Sequence, residues 1–131
     1  MMNPQLYENQ THLEEIVTNI PKHLEQRYDR FLCSLSFSPA LKGFPYIKHA
    51  LWFEHQNRHL LPALTKEIYE EIAKRYQTQV CAVERCVTFS IRRAYQENPD
   101  AFTRLFADCR KAPSNFRFIK TVSLYLNYEE D

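Results

Sequence analysis

The chain has 131 residues, a formal net charge of +1 and a single glycine, Gly43. That length suits one domain with one core, and so few turn glycines argue against sheets and hairpins and for helices joined by short polar or Pro-containing links. No apolar run approaches the ~20 residues of a membrane span, and the N-terminus lacks the basic and apolar regions of a secretory leader, so a cytoplasmic protein is expected.

Met1 to Gln10 is polar. Thr11 and Glu14 have capping-box spacing, and Leu13, Ile16, Val17 and Ile20 follow at i, i+3, i+4, i+7, so a short amphipathic helix is expected there, ended by Pro21. The next stripe, Leu24, Tyr28, Phe31, Leu32 and Leu35, predicts a helix lasting to about Phe37. Pro39 and Gly43 mark a tight connection, and Pro45 suits the first turn of a new helix, where its missing N–H costs nothing. That helix is expected to bury Tyr46, Ile47, Ala50 and Leu51, with Trp52 or Phe53 alongside, and to break at Asn57.

Leu64 to Tyr95 reads as helix, short break, helix. Leu64, Ile68, Ile72 and Tyr76 repeat at helical spacing; Gln77 and Thr78 interrupt them, with Thr78 a candidate N-cap. Val80, Val83, Val87, Ile91 and Ala94 carry the second stripe. Ala73 is small where two helices of a helix-turn-helix approach, and Val83 falls where the second packs back on the first. The outward positions of the second helix are Glu84, Arg85, Thr88 and Arg92, the side chains that a recognition helix turns toward base edges. The same spacing also fits two bundle helices with a solvated charged face. Many such turns have Gly where Gln77 stands, because a left-handed residue is often needed there.

After Tyr95, QENPD is a link. Asp100 is a candidate cap for a helix carrying Phe102, Leu105, Phe106 and Cys109. A basic turn follows, and Ser114 or Asn115 caps a last helix with Phe118, Ile119, Val122, Tyr125 and Leu126. About seven helices and no strand are expected. Charge is uneven: Met1 to Arg30 holds three Lys/Arg against five Asp/Glu, whereas Glu71 to Lys120 holds ten against five. A local cationic excess suits an electrostatic footprint on phosphates.

Other chemistry is weakly supported. Cys33, Cys81, Cys86 and Cys109 form no CxxC pair and are read as small buried hydrophobes or free thiols. His55 and His59 are four apart but lack a third ligand, so no metal is expected. Glu70-Glu71 suits a solvated helix face better than an acid/base dyad. There is no Gly-rich phosphate loop and no GxSxG, and nothing marks a cysteine as activated, so neither an enzyme nor a cofactor is expected.

Several pieces, in order, carry a resemblance. PALKGFPYIKHAL at 39–51, LTKEIYEEIAKRY at 64–76, Val83-Glu84-Arg85, Ala94-Tyr95, Leu105-Phe106 and the Lys111-Ala112, Pro113, Asn115, Phe118-Ile119 series resemble the C-terminal effector domain of the sporulation stage-zero response regulator, the master transcription factor of endospore formation. The match covers roughly Leu24 to Leu126. It implies a six-helix, all-α domain within 24–131, preceded by an extension at 1–23, with the helix-turn-helix at about 64–95. It implies binding of double-stranded operator DNA as tandem dimers and contact with RNA polymerase sigma factor. By the resemblance Glu84 and Arg85 read bases, an Arg suiting guanine O6 and N7 together, and Phe106 falls at a position of the polymerase contact. Lys74, Arg92 and Lys111 are electrostatic candidates for phosphates, independent of the resemblance.

The departures are specific. Where the family pattern has basic residues before and after Val-Glu-Arg, this chain has Ala82 and Thr88, and Phe89 takes the following His position. The link from Phe106 to Pro113 is several residues shorter than the family's. About twenty residues precede the matched region, too few for the family's phosphoacceptor receiver domain. The expectation is a receiver-less, sequence-specific DNA-binding regulator; the rival is a degenerate effector domain that pairs with a full-length regulator or sigma factor.

Overall fold

The computed structural model describes residues 20–56, 64–107 and 109–130. The expected helix beginning at Leu13 lies outside the described residues, as do Asn57 and His59. Among the described residues there are six helices and no strand: α1 (Lys22–Ser34), α2 (Gly43–Gln56), α3 (Leu64–Arg75), α4 (Val80–Glu97), α5 (Pro99–Thr103) and α6 (Asn115–Glu130).

The core is built round α2. Ten of its residues are buried, including both Trp52 and Phe53 as well as His49 and Glu54. A helix apolar on nearly every side must be enclosed, and α2 packs on α4, α6, α3 and α1. Each large apolar side chain so enclosed contributes ~1.5–3 kcal/mol. Beside it, Phe37, Phe102, Phe106 and Phe118 form a ring cluster with centroids 5.2 to 6.3 Å apart. Buried Glu54 meets Lys120 of α6, so its carboxylate is paired. Of the two expected readings of the cysteines, free thiols fits all four: Cys33 and Cys81 are exposed, and Cys86 and Cys109 half-buried.

The only glycine is not used for a left-handed turn. A Cβ at Gly43 would stand 2.1 Å from Ser90 Oγ and 2.4 Å from the Cys86 carbonyl oxygen of α4. A side chain can swing aside; the backbone oxygen cannot. Gly43 therefore lets the start of α2 approach the middle of α4. Among the described residues the left-handed positions are Ser36 (φ 69°) and Gln77 (φ 53°). Each closes a helix in the same way. After α1, Phe37 N–H bonds Leu32 O (3.0 Å) and Ser36 N–H bonds Cys33 O (3.0 Å), so the helix stops short of the expected Phe37. After α3, Thr78 N–H bonds Ala73 O (2.9 Å) and Gln77 N–H bonds Lys74 O (3.3 Å). This six-to-one, five-to-two pairing satisfies carbonyls that a helix end leaves open.

Other boundaries differ from expectation for local reasons. Thr78 completes the end of α3, and the N-cap of α4 is Gln79. Asn98, not Asp100, caps α5: its side chain accepts from Ala101 N–H at 3.4 Å, with Pro99 in the first turn. α5 ends at Thr103; in the turn that follows, the Phe102 carbonyl takes both Leu105 and Phe106 N–H, at 3.1 and 2.9 Å, and Phe106 is buried. The apolar spacing that suggested a longer helix there belongs to a turn facing the core. Ser114 caps α6, its hydroxyl accepting from Arg117 N–H at 3.2 Å.

Two substitutions should move stability in opposite directions. Gly43→Ala should cost ~1–3 kcal/mol through overpacking against Cys86 O. Gln77→Gly should gain ~0.5–1 kcal/mol, since left-handed strain of about 1–2 kcal/mol is relieved and the entropy of glycine takes back part of it. Urea midpoints at unchanged m-value would read both.

Candidate nucleic-acid interface

α3, the Gln77 turn and α4 form the helix-turn-helix. Ile68 and Ile72 of α3 and Val83, Val87, Ile91 and Ala94 of α4 are buried, as their spacing predicts; Tyr69 and Ser90 are buried as well. Ala73 is buried, 5 % exposed. The turn is fastened to α2 through Tyr76. Its ring meets Tyr46 at 5.0 Å and His49 at 5.5 Å, edge to face. His49 Nδ1 lies 3.1 Å from both the Pro45 carbonyl oxygen and the Tyr76 hydroxyl. A carbonyl only accepts, so the proton sits on Nδ1 and is shared between the two oxygens. Burial holds the imidazole below its ordinary value of 6.5, and the charges of Arg75 and Lys48 act in the same direction.

The outward face of α4 presents Cys81, Glu84, Arg85, Thr88, Phe89 and Arg92 around one shallow depression. Glu84, Arg85 and Arg92 are exposed. A second, larger groove runs between α4 and the loop entering α6, where Arg92 is joined by Tyr95, Arg110, Lys111 and Asn115. The loop is held there. Tyr95 Oη–H donates to Cys109 O at 2.9 Å, and the Arg117 guanidinium donates to Ala107 O at 2.7 Å. Arg92 and Lys111 thus line one groove, while Lys74 stands apart as an exposed residue in the last turn of α3.

Thr88 is half-buried, and its hydroxyl is engaged. It donates to Asn115 Oδ1 at 3.2 Å and accepts from Asn115 Nδ2 at 2.9 Å, and the same Nδ2 reaches the Glu84 carbonyl at 3.3 Å. Because Ser114 caps α6, Asn115 in its first turn is left free to brace α4. The sequence hinted at this with two adjacent cap-type residues where a helix start uses one.

Phe106 lies in the core. It is 2 % exposed, stacked on Phe102 and Phe118, and the Arg117 guanidinium lies 5.4 Å from its ring centroid. His55, half of the weak His55/His59 pair, bonds Asn127 through Nδ1. Among the described residues no three His, Cys, Asp or Glu side chains gather as a metal site would need. No helix among them is long and apolar enough to cross a membrane.

Residues 29–126 match the model of the family described as Sporulation initiation factor Spo0A C terminal. The match spans all of α2 to α5, the helix-turn-helix included, most of α6 and the last six residues of α1.

Two measurements follow from the braces. With the folded value of His49 lowered, the unfolded chain binds the proton first as pH falls through about 6.5. Stability from this group is complete above that value and is lost below it, by at most ~1.4 kcal/mol per pH unit. Urea midpoints at about pH 7.5 and 5.5 should fall on acidification in the wild type, and His49→Gln should flatten that slope. Asn115→Ala and Thr88→Val should each cost ~1 kcal/mol. In a double-mutant cycle the pair should cost less than the sum, since both remove one contact.

Proposed function

The chain belongs to the Sporulation initiation factor Spo0A C-terminal family, a family of DNA-binding regulatory domains rather than enzymes, and from that premise we propose that it is a sequence-specific regulator of transcription whose α4 enters the major groove. One observation carries the reading: the only face of α4 not packed on the core carries Glu84, Arg85 and Arg92 in the open, with Lys111 across the adjoining groove. A recognition helix needs just such a face, polar side chains at base edges and cations within reach of phosphates.

In this reading Arg85 takes guanine O6 and N7, and Glu84 accepts from cytosine N4–H or orients Arg85. Arg92, Lys111 and Lys74 meet phosphates. Thr88 acts through Asn115, setting how α4 sits rather than touching a base. The cationic excess of Glu71 to Lys120 supplies sequence-independent attraction. Ala82 and Thr88 stand where the resemblance leads one to expect cations, so the preferred site differs from the family's.

A second reading is a protein-interaction module that docks on a full-length regulator or on sigma factor. It is favoured by the exposed apolar side chains of α6: Leu124 at 65 %, Phe116 at 40 % and Tyr125 at 39 % exposure.

Selection from a randomised duplex library, then anisotropy on the winning and a scrambled duplex across a salt series, separates the two. Arg85→Ala should lose ~1–3 kcal/mol of preference for the winning duplex. Arg92→Ala should weaken both duplexes alike and reduce the salt slope by about one. No binding to either duplex at low salt would sink the DNA reading and leave the protein-partner one.

A further inference from the structure

Phe89 is an anomaly on α4. It is 54 % exposed on a helix whose other exposed side chains, Glu84, Arg85, Arg92 and Arg93 among them, are mostly charged or polar. It cannot fold inward. Its neighbour Ser90 is buried, and the start of α2 fills the space beside Cys86 and Ser90 at Gly43. The ring therefore stands on the surface beside Arg85. Both line the depression shared with Glu84 and Arg92, and both line a second one with Leu41 and Lys42. The apolar spot is thus flanked by Lys42, Arg85 and Arg92. A polyanion with an apolar feature suits that surround.

We infer that Phe89 reads the 5-methyl group of a thymine close to the base pair met by Arg85, and so is a specificity-determining residue. This rests on the proposal that α4 occupies the major groove. The chemistry narrows the choice. A phenyl ring has no conventional hydrogen-bond donor or acceptor, so on a base edge it favours an apolar group, and the apolar group that the major groove presents is the thymine methyl. Spacing fixes the neighbourhood. Phe89 follows Arg85 by four residues, on the same helix face and about 6 Å along the axis. Base pairs rise about 3.4 Å each, so the thymine lies one or two pairs from the guanine of Arg85. A methyl covered by the ring leaves water, worth about a three- to fivefold gain in affinity.

The test uses the duplex selected by the 131-residue chain. Each thymine in turn is replaced by deoxyuridine, which removes the methyl alone. One replacement beside the Arg85-dependent guanine should weaken wild-type binding about three- to fivefold. Phe89→Ala should weaken binding to the thymine duplex by a similar factor and bind the two duplexes equally, while Phe89→Leu should keep part of the discrimination. Because Phe89 is exposed, the variants should keep the wild-type circular dichroism and urea midpoint. A duplex whose binding depends on Arg85 but is blind to every methyl overturns this inference alone, as does Phe89→Ala discriminating like the wild type. A selection that yields no preferred duplex overturns the major-groove reading and this inference with it.

Discussion

One close approach sets the frame of this domain. At Gly43 the first turn of α2 lies so near the Cys86 carbonyl of α4 that no β-carbon fits between them. A helix buried on nearly all sides needs neighbours that come close, and α2 obtains one by having nothing but hydrogen at that point. The rest follows from it. With α2 pressed on α4, the inner stripe of Val83, Val87 and Ile91 is sealed, and the charged stripe opposite must face outward. The charged surface and the contact that holds are two sides of one helix.

The turn of the helix-turn-helix shows how the remaining strain is distributed. Gln77 takes a left-handed conformation that glycine would adopt without penalty. Tyr76, next to it, is gripped by Tyr46 and His49 of α2. The geometry of the turn is thus imposed from outside, by packing, as much as by its own sequence. A local preference overridden in this way is common where a neighbouring helix fixes the chain's path.

Much of this was legible in the residues themselves. The periods of α1, α3 and α4 give their buried faces almost residue by residue, because a helix repeats every 3.6 positions and burial repeats with it. The small Ala73 and the break at Gln77 mark the turn. What escaped were matters decided by distant partners. Nothing near Thr88 announces that Asn115, 27 residues on, will occupy its hydroxyl. Phe106 reads equally well as an exposed anchor or a core ring until Phe102 and Phe118 are placed beside it. The charged face of α4 was visible, but the exposure of Phe89 was not, since a phenyl ring between polar neighbours is ordinarily drawn into a core.

The brace between Asn115 and α4 has a consequence in time. α6 closes the domain: the Arg27 guanidinium of α1 donates to the Leu126 carbonyl 99 residues away, and Lys120 neutralises the Glu54 carboxylate inside α2. These contacts, and the hydrogen bonds that seat Thr88, join segments made earlier in synthesis to one made later. α3 and α4 can coil as soon as they leave the ribosome, because their own bonds are local. Their setting in the domain waits for α6 to emerge and dock. A chain made only as far as α4 therefore carries that helix without the brace that seats it, and the two meet only once α6 has emerged.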